Sequence, residues 1–234
     1  MISDVEEITG IRELKKFSKT NKNIYLMTKR ILDLILSSIC IIFLSPIFII
    51  TAIAIKLDDK GSVIYKQLRM GKDLKPFYIY KFRTMTENRK ELQSNLSHEN
   101  MVTRVGKILR ATSIDELPQL FNILKGEMTF IGPRPWILEY YEWFTPEQKR
   151  RCEVKPGISG LAQVKGRNGI SIFKKIEYDI EYVDNISLKA DIKIFFESII
   201  AVFKKTNAEI TEVGIKEEIN QLKEQFDNTY LKIS

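Results

Sequence analysis

The stretch "ILDLILSSICIIFLSPIFIITAIAI", residues 31–55, decides how this chain folds. At about 1.5 Å per residue, a helix of this length could cross a bilayer core of roughly 30 Å. Pro46 argues against a straight span. It has no N–H, and its ring clashes with the carbonyl of Ile42, so it breaks or kinks a helix. Ser45 can offer its hydroxyl to a freed backbone group, which eases the break in lipid. The halves on either side, 31–44 and 46–55, would be about 21 and 15 Å long, the size of re-entrant elements.

Charge points the same way. Residues 11–30 carry seven Lys/Arg and residues 56–75 carry six. Positive flanks prefer the cytoplasmic side, and near-equal flanks ask both ends to lie there. A helix–break–helix wedge that enters and leaves by one leaflet satisfies both. A full span and a buried core helix are the alternatives. Asp33 can sit at the interface near Lys29 or Arg30, since its burial without a partner would be costly. A cleaved leader fits poorly: the start "MISDVEE" is acidic and the apolar run is too long, although Ala52 and Ala54 imitate a cleavage site.

Outside this stretch the chain reads as a globular body. The 234 residues are 44% apolar and carry a formal charge of +7. That charge suits an anionic partner: nucleic acid, anionic lipid or a phosphorylated substrate. Cys40 and Cys152 form no framework, which suits a reducing compartment. His98, the single histidine, reads as a solvated loop residue and makes a Ser-His-Asp triad or a multi-histidine zinc site a poor fit. "VEEITGIRELKKF" near the start suits a short helix. Residues 61–85 alternate β-branched and aromatic with charged residues, as two short strands do, with a turn near Gly71–Asp73. Apolar residues recur at helical spacing from Val102 to Leu124. Gly126, Gly132, Pro133 and Pro135 then break the pattern. "ILEYYEWF", "PEQKRR" and 171–182 read as helical, and "VKPGISGLAQVKGRNG" as loop. In 188–205, Ile192, Phe195, Phe196, Ile199 and Phe203 line one helix face, which fits a core or a membrane surface equally.

"ATSIDELPQL", residues 111–120, places Asp115 and Glu116 together in this basic chain. Ser113-x-x-Glu116 is a capping-box pattern, or Asp115 is itself the N-cap. In both cases Asp115 would lie in the first turn of a helix, where the dipole favours its ionised form. Plain capping is one reading. An ionised carboxylate acting as a nucleophile toward phosphorus is the other. Arg110, Arg134 in "GPRP" and Arg167 in "KGRNG" supply planar forks suited to phosphate oxygens. Spacing alone leaves open whether they converge.

"YKQLRMGKD", "YKFRTM", "SIDELPQLFNILKGEMTFIGPRP" and "KPGISGLAQVKGRNG" together resemble the small monotopic phosphoglycosyl transferases, the bacterial sugar transferase family, over roughly residues 29–205. The Ser45–Pro46 break is similar to that family's re-entrant membrane helix. The resemblance implies transfer of a sugar 1-phosphate from a UDP-sugar to a polyprenyl phosphate, with release of UMP. It implies Asp115 as nucleophile, forming a covalent phosphosugar intermediate. Glu116 would assist by proton handling or by placing a metal, and Mg²⁺ would sit at Asp115 and Glu116. Arg110, Arg134 and Arg167 match phosphate-binding arginines of the family. Gln163, Asn168 and Asp179 match other active-site positions. Met70 departs from a frequent proline in "Q-x-R-x-G", and Pro118 from another common residue.

The expected fold class is α+β, mostly helical. A re-entrant membrane segment would join a small cytoplasmic catalytic domain with short strands and amphipathic interfacial helices. The expected divisions are a polar extension at 1–28, the membrane helix at 29–58, the catalytic domain at 59–206 and a charged helical tail at 207–234. The expected place is the inner leaflet of a bacterial cytoplasmic membrane, with the catalytic domain facing the cytoplasm and downstream glycosyltransferases as possible partners. Two competing readings are a non-catalytic membrane-anchored module binding anionic lipid headgroups, and a nucleic-acid binder. Interspersed acids and the apolar segment weigh against the latter.

Overall fold

The computed structural model describes residues 2–86, 101–166, 170–203 and 212–230. The apolar stretch forms two helices, α1 (Ile2–Phe43) and α2 (Ser45–Asp58), bent by 59° between the Asn23–Phe43 arm and α2. The short helix expected near the start is continuous with α1. Pro46 falls in the first turn of α2, where its missing N–H costs nothing. The Ser45 hydroxyl donates to the carbonyl of Ile42 at 2.7 Å, the acceptor that Pro46 cannot serve. Among the described residues no single helix is long and apolar enough to cross a membrane.

The bent pair has two faces. Ile31, Ile35, Ile39, Ile42, Ile50 and Ile53 are exposed along the outer one. On the inner one, Cys40, Ile41, Leu44 and Phe48 pack against Phe77, Ile79, Leu120, Ile123 and Met128. Polar side chains bolt α1 to the body. Lys29 Nζ donates to the Ile131 carbonyl at 2.8 Å and pairs with Asp191. Arg30 donates to the carbonyls of Ile123 at 2.6 Å and Leu124 at 3.0 Å. Asp33 is buried within reach of the Lys29 and Arg30 charges, and its carboxylate accepts from the backbone N–H of Phe130 at 3.3 Å. That bond offsets part of the burial cost that the sequence reading set against it.

Strands β1 (Ile64–Met70) and β2 (Pro76–Phe82) pair antiparallel, with Ile64 opposite Phe82 and Met70 opposite Pro76. The expected turn is a 3₁₀ turn at Lys72–Leu74, with Asp73 and Leu74 at φ of 54° and 56°. The continuous periodicity from 102 to 124 is interrupted. Helix α3 (Arg104–Thr112) ends at Ser113, which is left-handed at φ 59°. A 3₁₀ turn (Ile114–Glu116) and then α4 (Gln119–Lys125) follow. Ser113 makes no side-chain cap bond, so the expected capping box does not form, and Asp115 is not an N-cap. Thr103 caps α3 instead, its hydroxyl accepting from Gly106 N at 2.9 Å.

A second sheet was not anticipated. Strands β3 (Thr129–Ile131) and β4 (Gly157–Ser159) pair in parallel. Three residues are too few to show alternation, and the surrounding Gly and Pro read as loop. A 3₁₀ turn (Leu138–Glu142), α5 (Pro146–Lys149), a 3₁₀ turn (Arg150–Cys152) and α6 (Leu161–Gly166) build the next segment. It leads into α7 (Ile172–Asp184), α8 (Leu188–Phe203) and α9 (Glu212–Tyr230). The face of α8 that carries Ile192, Phe195, Phe196 and Ile199 points outward, while Asp191 and Ile194 are buried. Helix α9 inserts Leu222, fully buried, into a cluster with Trp136, Tyr140, Phe144 and Ile172. The body is mostly helical with small sheets, and Cys40 and Cys152 are both free. His98 lies outside the described residues.

Candidate active site

Four short elements converge on the carboxylate pair. Strand β2 buries Phe77 and Ile79, and its period of two brings Lys81 to the same face, half-buried. The 3₁₀ turn after α3 brings Glu116 opposite, and Lys81 Nζ lies 2.6 Å from Glu116 Oε1. Arg134, in the loop after β3, donates to the same oxygen from Nη2 at 3.0 Å. Arg110, in the last turn of α3, donates from Nε to the Thr84 hydroxyl at 2.9 Å. Helix α3 lies so close to the strand end that a Cβ on Gly106 would sit 2.1 Å from the Thr84 carbonyl oxygen.

The two carboxylates are treated differently by this arrangement. Burial alone would raise the Glu116 pKa, but the charges of Arg134 and Lys81 and their hydrogen bonds overcome it and hold the carboxyl far below its ordinary range. Asp115 shifts the other way. Burial pushes its pKa up and the Glu116 charge adds to that, while Lys81, Arg110 and Arg134 oppose. The sequence expectation had a helix start favouring ionised Asp115. A single 3₁₀ turn has little dipole, and desolvation dominates. Among the described residues none donates a hydrogen bond to the Asp115 carboxylate, so its oxygens are left for another reactant.

Two buried side chains support this layout, and the sequence reading named neither. Asn122 is fully buried on α4 and grips the edge of β2: Tyr80 N donates to its Oδ1 at 3.0 Å, and its Nδ2 donates to the Tyr78 carbonyl at 2.7 Å. These bonds hold the strand just before Lys81. Arg151 is buried against the face of Trp136, with Cζ 4.0 Å from the ring centroid, and its Nη2 donates to the Arg134 carbonyl at 2.7 Å. A polar residue inside the apolar spacing of "LFNILK", and a charge just inside the "PEQKRR" helix, were the available signals.

Of the predicted site residues, Arg110 and Arg134 stand near Asp115 and Glu116. Asp179 reaches them only at second hand: it is buried and receives Arg151 Nε at 3.0 Å and Nη2 at 2.6 Å. Gln163 on α6 donates to the Ile158 carbonyl at 2.9 Å, and its buried Oε1 has no partner among the described residues. Arg167 and Asn168 lie outside the described residues. Among those described, no group of three or more His, Cys, Asp or Glu could hold a metal on protein ligands alone. Mg²⁺ takes one or two carboxylates and completes its shell with waters and substrate phosphates, a demand within reach of Asp115, which accepts no hydrogen bond among the described residues, and of Glu116, whose Oε1 already holds Lys81 and Arg134.

Residues 24–205 match the family model described as bacterial sugar transferase. The chain is 42% identical over 212 residues to a UDP-glucose:undecaprenyl-phosphate glucose-1-phosphate transferase of Klebsiella pneumoniae, covering 86% of this chain and 45% of the relative. It is 45% identical over 169 residues to the uncharacterized sugar transferase EpsL of Bacillus subtilis (strain 168), covering 72% of this chain and 84% of the relative. A third relative, a UDP-N-acetylgalactosamine-undecaprenyl-phosphate N-acetylgalactosaminephosphotransferase of Aeromonas hydrophila, is 41% identical over 184 residues, 75% of this chain and 44% of the relative. The chain thus spans less than half the length of the Klebsiella and Aeromonas proteins.

Proposed function

The chain belongs to the bacterial sugar transferase family, and on that premise we propose that it transfers a sugar 1-phosphate from a UDP-sugar to a polyprenyl phosphate. The observation that carries this reading is the unengaged Asp115 carboxylate beside Lys81, Arg110 and Arg134. An Asp115 oxygen attacks the sugar-linked phosphorus of the donor. The phosphorus–oxygen bond to the nucleotide breaks, and UMP leaves with the electron pair. An oxygen of polyprenyl phosphate then attacks the same phosphorus and displaces Asp115 as carboxylate. Lys81, Arg110 and Arg134 offset charge on the transferring group and hold the diphosphate. Glu116 fixes two of those cations and keeps them from closing onto Asp115. Mg²⁺ would be held by Asp115 and Glu116 and would supply neutralisation of the diphosphate charge.

The bent pair of α1 and α2 serves as a re-entrant wedge in the cytoplasmic leaflet. Its exposed isoleucines and the outer face of α8 support that placement, as do the cationic flanks. A water-soluble donor and a lipid-tethered acceptor then meet at one boundary. The lipid-linked product would go to downstream glycosyltransferases that extend a surface glycan.

The test is purified protein with a panel of UDP-sugars, starting with UDP-glucose and UDP-N-acetylgalactosamine. Without acceptor, a stoichiometric burst of UMP and a phosphosugar adduct on Asp115 are expected by mass spectrometry. Full turnover by Asp115→Asn would overturn the assignment.

A further inference from the structure

Helix α9 lies beyond residue 205, where the family match ends, yet it is built into the body. Leu222 is fully buried. Gln225 accepts from Gln148 Nε2 at 2.8 Å, and Phe226 meets Trp143 edge-on with centroids 6.1 Å apart. The polar anchor is Glu218. Its Oε1 receives Lys175 Nζ of α7 at 2.6 Å, and its Oε2 receives the Tyr140 hydroxyl at 2.6 Å. Both members of the Lys175–Glu218 pair are largely screened from water, at 10% and 16% side-chain exposure. An ion pair so placed holds its geometry better than an exposed one.

From Glu218 an unbroken line of contacts runs to the carboxylate pair. The Tyr140 ring packs on Trp136 with centroids 5.2 Å apart. Trp136 lies under the Arg151 guanidinium. Arg151 bonds the Arg134 carbonyl, and Arg134 reaches Glu116. Trp136 is also two residues from Arg134 in the chain, and its own carbonyl accepts from Met70 N at 3.0 Å. The segment 132–137 is therefore held from β1 on one side and from α9 on the other.

We propose that Glu218 is a positioning residue for Arg134, acting through Tyr140, Trp136 and Arg151, so that the C-terminal helix sets the grip on the donor's phosphates. This rests on the diphosphate role of Arg134 given above. Placement errors near 1 Å at such a group are enough to change turnover strongly.

The experiment uses the full chain and two readouts. Hydrogen–deuterium exchange reads the backbone of 132–137, and UMP-release kinetics read KM and kcat. Glu218→Gln is expected to speed exchange in 132–137 and to raise KM for the UDP-sugar roughly fivefold, with kcat changed less. Glu218→Asp is expected to recover part of both. Combining Glu218→Gln with Trp136→Leu should add little to Trp136→Leu alone, because both cut one line. If Glu218→Gln does not fold, Tyr140→Phe cuts the same link and leaves the Lys175 pair intact. Unchanged exchange in 132–137, or an unchanged KM with only a lower melting temperature, overturns the proposal. A wild type that releases no UMP while Glu218→Gln still loosens 132–137 would sink the transferase reading and leave the structural link standing.

Discussion

Lys81 Nζ lies 2.6 Å from Glu116 Oε1, so a strand residue and a turn residue share one charge beside the Asp115 carboxylate. Arg134 joins them on the same oxygen. Glu116 is thus a holder of cations. In Glu116→Gln, Lys81 and Arg134 lose their anionic partner and Asp115 becomes the nearest carboxylate. UMP release should fall by roughly 10²-fold, in line with the loss of one preorganised charge at a reacting centre. Retention of wild-type burst kinetics would contradict this role.

The acid limb of the pH–rate profile should follow Asp115. Its pKa is raised by burial first and by Glu116 second. In the proposed reaction Asp115 must be ionised to attack, so activity should be lost as pH falls through that raised value. Glu116→Gln removes the second cause, and the limb should move to lower pH in whatever activity remains. A limb that moves upward would refute the argument.

Asp115→Asn should raise thermal stability while abolishing turnover by at least about 10³-fold. The sign follows from linkage. A carboxyl with a raised folded-state pKa binds its proton more tightly when folded, so its ionised form at neutral pH costs stability. The amide removes that cost. The difference between Asp115→Asn and wild type should shrink as pH falls through the raised Asp115 value and be gone below the ordinary aspartate range. Melting curves at pH 7 and in acid check both statements.

Asn122→Leu keeps the branched outline of the side chain but strands the Tyr80 N–H and the Tyr78 carbonyl in a buried place. We expect a loss of about 2–4 kcal/mol from unsatisfied buried groups. UMP release should also slow, because the strand that carries Lys81 is loosened from α4. Denaturant titration in detergent, together with kinetics, measures the two effects.

Pro46→Ala should straighten the bend between α1 and α2. In a chain whose native cysteines are replaced, Thr20→Cys and Ser62→Cys should label from the same side of intact cells. Adding Pro46→Ala should move part of the population to opposite-side labelling. Opposite-side labelling without the proline change would refute the wedge.

Much of this was legible in the sequence because it rests on covalent facts. Proline lacks an N–H wherever it sits, so the break at Pro46 was readable, and so was the neighbouring hydroxyl. Two adjacent carboxylates amid arginines were visible as well. Contacts made across the chain were hidden. Ser113 adopts a left-handed backbone that a capping pattern does not announce, and it turned an expected helix start into a single 3₁₀ turn. That change reversed the expected electrostatics of Asp115. The parallel pairing of β3 with β4 spans three residues each, below the length at which alternation can be seen. Lys81 stood inside a motif, but its partner Glu116 is 35 positions away and appears only in the fold.

Lys29, Arg30 and Asp33 anchor α1 to backbone groups of the catalytic body, and α8 presents a second greasy surface beside it. Such a molecule would rest on its lipid like a keel with an outrigger. The body could not tilt against that anchor without breaking bonds within the protein. The altitude of Asp115 above the acyl chains would then be a built-in dimension, and a thicker or thinner bilayer would have to deform around the protein.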